Sequence, residues 1–484
     1  MLFNSYIFVL LFLPLCLIGY FILNYFKKYK LAQYFVLGMS FWFYGYFNYY
    51  YLIIIIFSIL FNYGIYCLFK KIEKNNKRKI LLIFSILMNL GLLFYFKYYD
   101  FFISNINNLF NLNFTLKNIV LPLGISFFTF QQLSFVIDAY KKEVPGYSLI
   151  NYATFVTFFP QLIAGPIVTH DELVPQFMDK EKKKINWDNM ARGIYIFVLG
   201  LAKKVLIADI FGNAVNYGFS NIELLDSTSA IIVMLSYTIQ IYFDFSGYCD
   251  MAIGIGKMMN IDLPINFNSP YKSINIIEFW KRWHITLTRF FTKYIYIPLG
   301  GSKKGKIKTY TNIMIIFLIS GFWHGANWTF VLWGLLHGIF SVITRCFKKF
   351  FDRIHPILNW LITFIFINFT WIIFRANSIK EAFNFINKIF DLNFKNINKN
   401  IVDCFNSVEF TFITSRISIL KIYPNFLLIC YFIFTIILIL FSKNAFEKMK
   451  KFQPNFCNVT CISILLIWCI LSFSGISTFL YFNF

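Results

Sequence analysis

Apolar runs of about 20 residues recur along the whole chain, and shorter polar stretches separate them. An α-helix of that length matches the thickness of the hydrocarbon core of a bilayer. The predicted spans are 6–26, 31–49, 51–69, 80–96, 120–138, 149–167, 190–211, 229–248, 309–324, 328–344, 356–374, 425–442 and 456–478. The pattern predicts an all-α, polytopic integral membrane protein with about 11–13 transmembrane or re-entrant helices.

Composition and charge support this interpretation. Of the 484 residues, 58% are hydrophobic and 14% charged, which is too little polar surface for a water-soluble enzyme. The net charge of +23 would suggest a nucleic-acid partner, but the basic residues cluster between apolar runs, for example at Lys27–Lys30 and Lys70–Lys79. That is the positive-inside pattern of cytoplasmic loops, and no nucleic-acid-binding motif accompanies it. The pattern places the N-terminus outside, with 6–26 as a retained first span and an outward hairpin that turns near Asn48.

Breaks in the apolar pattern divide the predicted single membrane domain, 1–484, into three zones. We expect N-terminal helices over 1–140, a catalytic core over 141–345 and C-terminal helices over 346–484. Two prolines and a glycine in 159–166 predict a broken helix that faces protein or a cavity rather than lipid. In 272–300, tryptophans such as Trp280 and Trp283 alternate with lysines and arginines, which is typical of segments at the interface or lining a cavity.

His324 is the most informative polar residue. It lies among small residues in Gly321-Phe322-Trp323-His324-Gly325, at the end of an apolar run, where an imidazole is costly and indicates function. A histidine there can act as a general base on a hydroxyl or accept an acyl group itself. His284 lies 40 residues upstream, where the basic and aromatic segment turns apolar again. His170, His337 and His355 are interpreted as structural, because their positions are polar, interfacial or on another helix face.

Other candidate motifs carry less weight. Asp244 and Asp250 bring two carboxylates into an apolar run, but their spacing separates them around a helix, so they predict no carboxylate pair. The turn 300–307 has the spacing of a phosphate-binding loop, yet Ile307 stands where a Ser or Thr is required. As a basic turn at the inner face, it could still attract the phosphates of a cytosolic acyl donor. The spacing of Cys457 and Cys461 lies within the range of zinc ligands, but no second Cys or His pair lies nearby in the sequence to complete four ligands, so no metal site is predicted.

Several motifs in order along the chain resemble the membrane-bound O-acyltransferase family, in its bacterial branch of alginate and peptidoglycan O-acetylation subunits. These motifs are Met1–Tyr6, Phe159–Pro166, Tyr242–Tyr248, Phe279–His284, Tyr296–Gly301, Trp323–Gly325 and Phe479–Phe484. The resemblance implies an essential histidine at His324, a second at His284 and helices around a central tunnel. It also implies acetyl transfer from cytosolic acetyl-CoA to a glycan outside the membrane, with a periplasmic or surface SGNH-type acetyltransferase as partner.

We therefore expect a membrane O-acetyltransferase of the cytoplasmic (inner) membrane, in contact with membrane lipid, with peptidoglycan favoured over alginate or another exopolysaccharide as glycan acceptor. The predicted catalytic residues are His324 and His284, and the predicted supporting residues are Asp244, Asn327, Gln161 and Trp323. We expect no metal, no permanently bound cofactor and no nucleic acid; acetyl-CoA is the donor substrate. Two alternatives stay open: D-alanyl transfer to teichoic acid, and a transporter in which the histidines relay protons.

Overall fold

The computed structural model describes residues 1–406, 416, 423, 425–473 and 478–480, and within these ranges the regular structure is helical, with no β-strand. The helices of the first part are α1 (Ile7–Tyr25), α2 (Tyr29–Gly45), α3 (Tyr50–Lys71), α4 (Asn75–Phe110), α5 (Ile125–Tyr140), α6 (Leu149–Thr157), α7 (Phe159–Leu162), α8 (His170–Met178), α9 (Trp187–Ala202), α10 (Asp209–Ser220) and α11 (Ser227–Met258). A π-helical stretch, Lys203–Ala208, joins α9 to α10.

The second part begins with two short helices and continues with longer ones. Its helices are α12 (Ile276–Arg282), α13 (Ile285–Phe291), α14 (Gly305–His324), α15 (Trp328–Cys346), α16 (Lys348–Phe351), α17 (Pro356–Arg375), α18 (Ile379–Phe390), α19 (Lys399–Asp403), α20 (Phe426–Leu440), α21 (Ala445–Lys450) and α22 (Phe456–Leu471). The ends of two predicted features, the span 456–478 and the motif Phe479–Phe484, lie partly outside the described residues.

Six helices in the described ranges are long and apolar enough to cross a membrane: α1, α3, α4, α11, α15 and α17. The prediction of an all-α, multi-pass membrane protein is thereby confirmed. Other predicted spans form helices that are shorter or more polar. The predicted span 120–138, for example, starts its helix only at Ile125, because Gly124 before it has a left-handed backbone with φ of 70°.

Two local predictions are confirmed. The hairpin of α2 and α3 turns over residues 46–49, where the Asn48 side chain accepts a hydrogen bond from the backbone N–H of Tyr50. The predicted break near Pro160 separates α6 from the four-residue α7, and the segment from Phe158 to Val168 is buried in protein. Proline in the first turn of α7 cannot continue the hydrogen bonding of α6, which explains the break.

The helices form two compact units that alternate along the chain, one of residues 1–197 and 248–265 and the other of residues 198–247 and 266–480 in their described parts. Within the first unit, a buried amide network joins three helices: the Asn62 side chain donates to Asn89 at 3.0 Å and to Gln132 at 2.6 Å. Such hydrogen bonds hold helices together where apolar burial provides little net attraction. The prediction of one domain with three consecutive zones stays a prediction.

Within the second unit, α14 and α15 form a tight hairpin that positions the candidate site. A Cβ atom on Gly321 would lie 2.3 Å from the carbonyl oxygen of Phe330, and one on Gly334 would lie 2.3 Å from that of Phe317. The two glycines therefore allow the helix backbones to approach directly, as small residues do between membrane helices. The chain reverses just after His324, so this residue lies at the tip of the hairpin.

We expect Gly321→Ala to destabilise the protein by about 1–3 kcal/mol, because the added methyl group forces two backbones apart. Gly64→Ala is the matched control, since Gly64 also lies within a helix but has no atom within 4 Å of the position of a new Cβ. The midpoint of thermal unfolding in detergent should fall for Gly321→Ala and not for the control. Equal midpoints for the two variants would contradict the close approach.

Candidate functional site

His324 is the last residue of α14, at the end opposite the basic cluster Lys303–Lys308. A helix of 20 residues is about 30 Å long, comparable to the hydrocarbon core. The helix therefore separates His324 from the basic cluster by about 30 Å. The depth of this imidazole in the membrane stays a prediction.

Aromatic rings enclose His324, whose exposed fraction is 3%. The centroid of its ring lies 4.9 Å from Trp323, 5.1 Å from Trp333 and 5.2 Å from Phe374. Few water molecules can reach such a position, so electrostatic interactions of the imidazole are stronger there than in water.

His284 lies close to the same cluster. Its ring centroid is 4.9 Å from that of Phe245 and 6.2 Å from that of Trp323. Trp323 thus contacts both histidines, and the structure brings His324, His284 and Trp323 together. Burial lowers the pKa of His284 to about 3, so this imidazole is neutral at physiological pH.

The backbone of His284 is strained, with φ of 45° and ψ of 54° between α12 and α13. A left-handed conformation in a non-glycine residue costs about 1–3 kcal/mol and persists only where its surroundings impose it. Asn266 provides those surroundings. Its backbone carbonyl accepts from the N–H of Ile285 at 3.0 Å, and its side-chain Oδ1 lies 3.2 Å from Nδ1 of His284.

Two of the predicted supporting residues have structural partners instead. The Asn327 side chain accepts from the backbone N–H of Thr329 and donates to the carbonyl of Asn377, so it caps α15 and ties down the turn after His324. The Asp244 carboxylate lies 2.7 Å from the Lys204 ammonium and accepts from the backbone N–H of Leu480. Asp244 is therefore part of a buried ion pair, and a role for either residue in catalysis stays a prediction.

Gln161 belongs to the first unit, at the helix break. Its side chain donates to the carbonyl oxygen of Phe155 at 2.8 Å, which satisfies a backbone group that the break leaves exposed. This contact gives Gln161 a structural role at the break, and its supporting role in catalysis stays a prediction.

The remaining histidines have local partners. His170 pairs with the buried carboxylate of Asp138 at 3.4 Å, and His355 caps α17 by accepting from the N–H of Ile357. His337 lies 3.0 Å from the hydroxyl of Thr370, although its ring also lies 4.7 Å from that of Trp333. These contacts agree with the structural roles expected of them.

Two residues of the second unit with important contacts, Asn266 and Lys204, were not identified from the sequence. Asn266 lies in a loop, where no periodicity marks it, and its asparagine-rich surroundings (Asn266-Phe267-Asn268) were the one available signal. Lys204 lies in the middle of the predicted span 190–211, and a lysine at membrane depth is itself a signal of a buried partner. It is bound by Asp244 and, at 2.8 Å, by Asp209.

A groove of about 780 Å³ opens beside the basic turn, between α12, the start of α14 and the end of α15. Its charged lining residues are Lys281, Lys306, Arg345, Lys348, Glu278 and Asp352. Glu278 is already paired with Arg282 at 2.7 Å, so the groove is positively charged. Ser302 and Gly305 of the basic turn also line it.

In the described part of the chain, no group of three or more potential ligands is placed to hold a metal ion.

The profile of the membrane-bound O-acyltransferase family matches residues 80–380. A peptidoglycan O-acetyltransferase of Helicobacter pylori is 40% identical over 100% of this chain and 98% of its own. The protein named probable alginate O-acetylase AlgI of Pseudomonas aeruginosa is 40% identical over 61% of this chain and 57% of its own. A teichoic acid D-alanyltransferase of Bacillus subtilis is 30% identical over 54% of this chain and 70% of its own. The chain belongs to the membrane-bound O-acyltransferase family and is a membrane acyltransferase.

Proposed function

We propose that this protein transfers acetyl groups from cytosolic acetyl-CoA across the cytoplasmic membrane for O-acetylation of peptidoglycan. The observation that carries the choice of acceptor is the extent of the match to the Helicobacter pylori enzyme, which spans both chains almost completely. The match to the alginate O-acetylase covers 61% of this chain, although the identity is the same. Peptidoglycan is thus preferred to alginate.

His324 is the proposed catalytic residue. As general base, it takes the proton of an acceptor hydroxyl while the oxygen attacks the acetyl carbon, the carbon–sulfur bond breaks, and the proton passes to the leaving thiolate. As nucleophile, it first takes the acetyl group from sulfur and then yields it to the hydroxyl. Both routes balance to an ester and a free thiol. Trapping acetylated protein without acceptor, followed by intact-mass analysis, separates them.

The acyl donor is proposed to bind at the groove beside the basic turn. Its cations match the phosphates of coenzyme A, and α12, which lines the groove, ends two residues before His284. Basic residues also collect at the cytoplasmic face of membrane proteins for reasons of topology alone. The positive charge of the groove therefore needs a functional test before it identifies a donor site.

We expect the double variant Lys281→Glu, Lys306→Glu to raise KM for acetyl-CoA about 10-fold or more, because charge-assisted hydrogen bonds contribute about 1.5–3 kcal/mol. Lys443→Glu with Lys451→Glu, exposed residues outside the groove, is the control for charge reversal alone. Initial rates at varied acetyl-CoA provide the measurement. The same rise in KM in both double variants would rule out the groove as the donor site.

The proposed partners are membrane lipid, the glycan and an SGNH-type acetyltransferase outside the cytoplasmic membrane. A histidine at the outer end of α14 would present acetyl to such a partner, whose serine then acetylates the glycan.

The alternative of D-alanyl transfer is supported by the weaker match to the Bacillus subtilis enzyme. Purified protein should accept acetyl from acetyl-CoA and not D-alanine from a charged carrier protein. Concentrative uptake of acetate or glycan without transfer would favour the transporter alternative.

A further inference from the structure

The side chain of Asn266 defines the protonation of His284. Oδ1 of Asn266 accepts from the backbone N–H of Thr286 at 3.1 Å and from the Thr286 hydroxyl at 2.8 Å. A backbone N–H can only donate, so the atom that faces it must be the amide oxygen and not the amide nitrogen. The orientation of the Asn266 amide is thus determined by its neighbours.

The same oxygen lies 3.2 Å from Nδ1 of His284. An amide oxygen carries no proton, and two lone pairs at that distance would repel each other, so Nδ1 must carry the hydrogen. In the neutral ring the second nitrogen, Nε2, then has the lone pair. A neutral Nε2 with a lone pair cannot donate a hydrogen bond to a thioester carbonyl.

Two other histidines provide a contrast. The Thr370 hydroxyl donates to the carbonyl of Ile367 at 2.9 Å and therefore accepts from Nε2–H of His337. Nδ1 of His355 accepts from a backbone N–H, so its proton is on Nε2 as well. The Nδ1–H form of His284 differs from both.

We propose that Asn266 is a positioning residue that holds His284 in the strained backbone conformation and in the Nδ1–H tautomer, so that Nε2 carries the lone pair and takes the proton of the acceptor hydroxyl in the route in which His324 carries the acetyl group. Asn266 contacts three consecutive residues, His284 to Thr286, through its backbone carbonyl and its side chain. A partner that fixes the tautomer of a histidine and orients its ring in this way determines which nitrogen the substrate meets.

The tautomer is measured directly by ¹⁵N NMR on protein labelled at its five histidines, in lipid or detergent. We expect an Nδ1–H signal that His284→Gln removes and that His337→Gln does not. Asn266→Leu should abolish this signal, whereas Asn266→Asp should retain it, because a carboxylate oxygen still accepts from the ring and from Thr286. Thr286→Val, which removes one hydroxyl, should also retain it. A wild-type protein in which His284 carries its proton on Nε2 would overturn the proposal.

The catalytic consequence rests on the proposed function and is measured separately. Asn266→Leu should lower kcat about 10-fold to 100-fold while KM for acetyl-CoA changes little, and Asn266→Asp should recover most of the loss. If Asn266→Leu does not fold, the folded Asn266→Asp protein and the wild-type spectrum still decide the tautomer. Loss of the Nδ1–H signal with unchanged kcat would contradict the role of Asn266 in the reaction. An Nδ1–H signal in a protein with no acetyltransferase activity would contradict the proposed function alone.

Discussion

Replacing His324 with alanine is expected to lower the kcat of acetyl transfer about 10²-fold to 10⁴-fold, the range that positioned acid–base groups contribute. The residue is buried at the tip of the α14–α15 hairpin, with Trp323, Trp333 and Phe374 around its ring. Because these rings enclose the imidazole, no solvent-exposed side chain could reach its position and take over its role. Initial rates with saturating acetyl-CoA measure the effect on purified, folded protein.

His355→Gln is a suitable control for this experiment, because that histidine caps the start of α17 in an exposed position. It should retain the wild-type rate. His324→Gln preserves most of the packing volume and should be as inactive as the alanine variant. If the glutamine variant were active, His324 would fill space and take no part in proton or acyl transfer.

Replacing Lys204 with methionine should have the largest effect on stability, a loss of about 3–5 kcal/mol in the free energy of unfolding. The exposed fractions of the Lys204 and Asp244 side chains are both 2%, and Asp209 is the second partner at 2.8 Å. Removal of the cation leaves a buried carboxylate without compensation. Unfolding midpoints in detergent, or yield of folded protein, would show the loss.

The adjacent Lys203→Met variant provides the comparison. Lys203 contacts the Ser246 hydroxyl at 3.3 Å and is only partly buried, so its loss should cost about 1 kcal/mol. Lys204→Met combined with Asp244→Asn should regain part of the stability, since one of the two buried charges is then removed. A Lys204→Met protein as stable as the Lys203→Met protein would contradict the buried ion pair.

Much of the fold follows from the sequence because membrane helices have a strong apolar signal. Apolar length predicted α1, α3 and α17 closely, and proline placement predicted the break at Pro160. Where polar residues enter a helix, length alone is less informative. The helix α14, which carries His324, is not among the six that meet the criteria for a span, since its first turns contain Lys306, Lys308 and Asn312.

The residues at the centre of the candidate site could be selected from the sequence, whereas most of the residues around them could not. His324 and His284 are candidates because imidazoles are rare in apolar segments. Trp323 precedes His324 in the sequence, and its ring also lies close to that of His284. The partners of a side chain depend on how distant segments pack, which periodicity does not show. The sequence therefore predicts a supporting role for Asp244 without showing that its carboxylate binds Lys204. It gives no indication that Asn266, 18 residues before His284, contacts that histidine.

The central claim is tested most directly by placing the donor and the acceptor on opposite sides of a membrane. Purified protein in sealed vesicles receives labelled acetyl-CoA on the cytoplasmic face, with peptidoglycan fragments and the SGNH-type partner on the other. We predict that label appears on the glycan side with the wild-type protein and is reduced at least about 100-fold with His324→Ala. Equal transfer by both proteins would contradict the assignment of His324 as the group that carries out acetyl transfer.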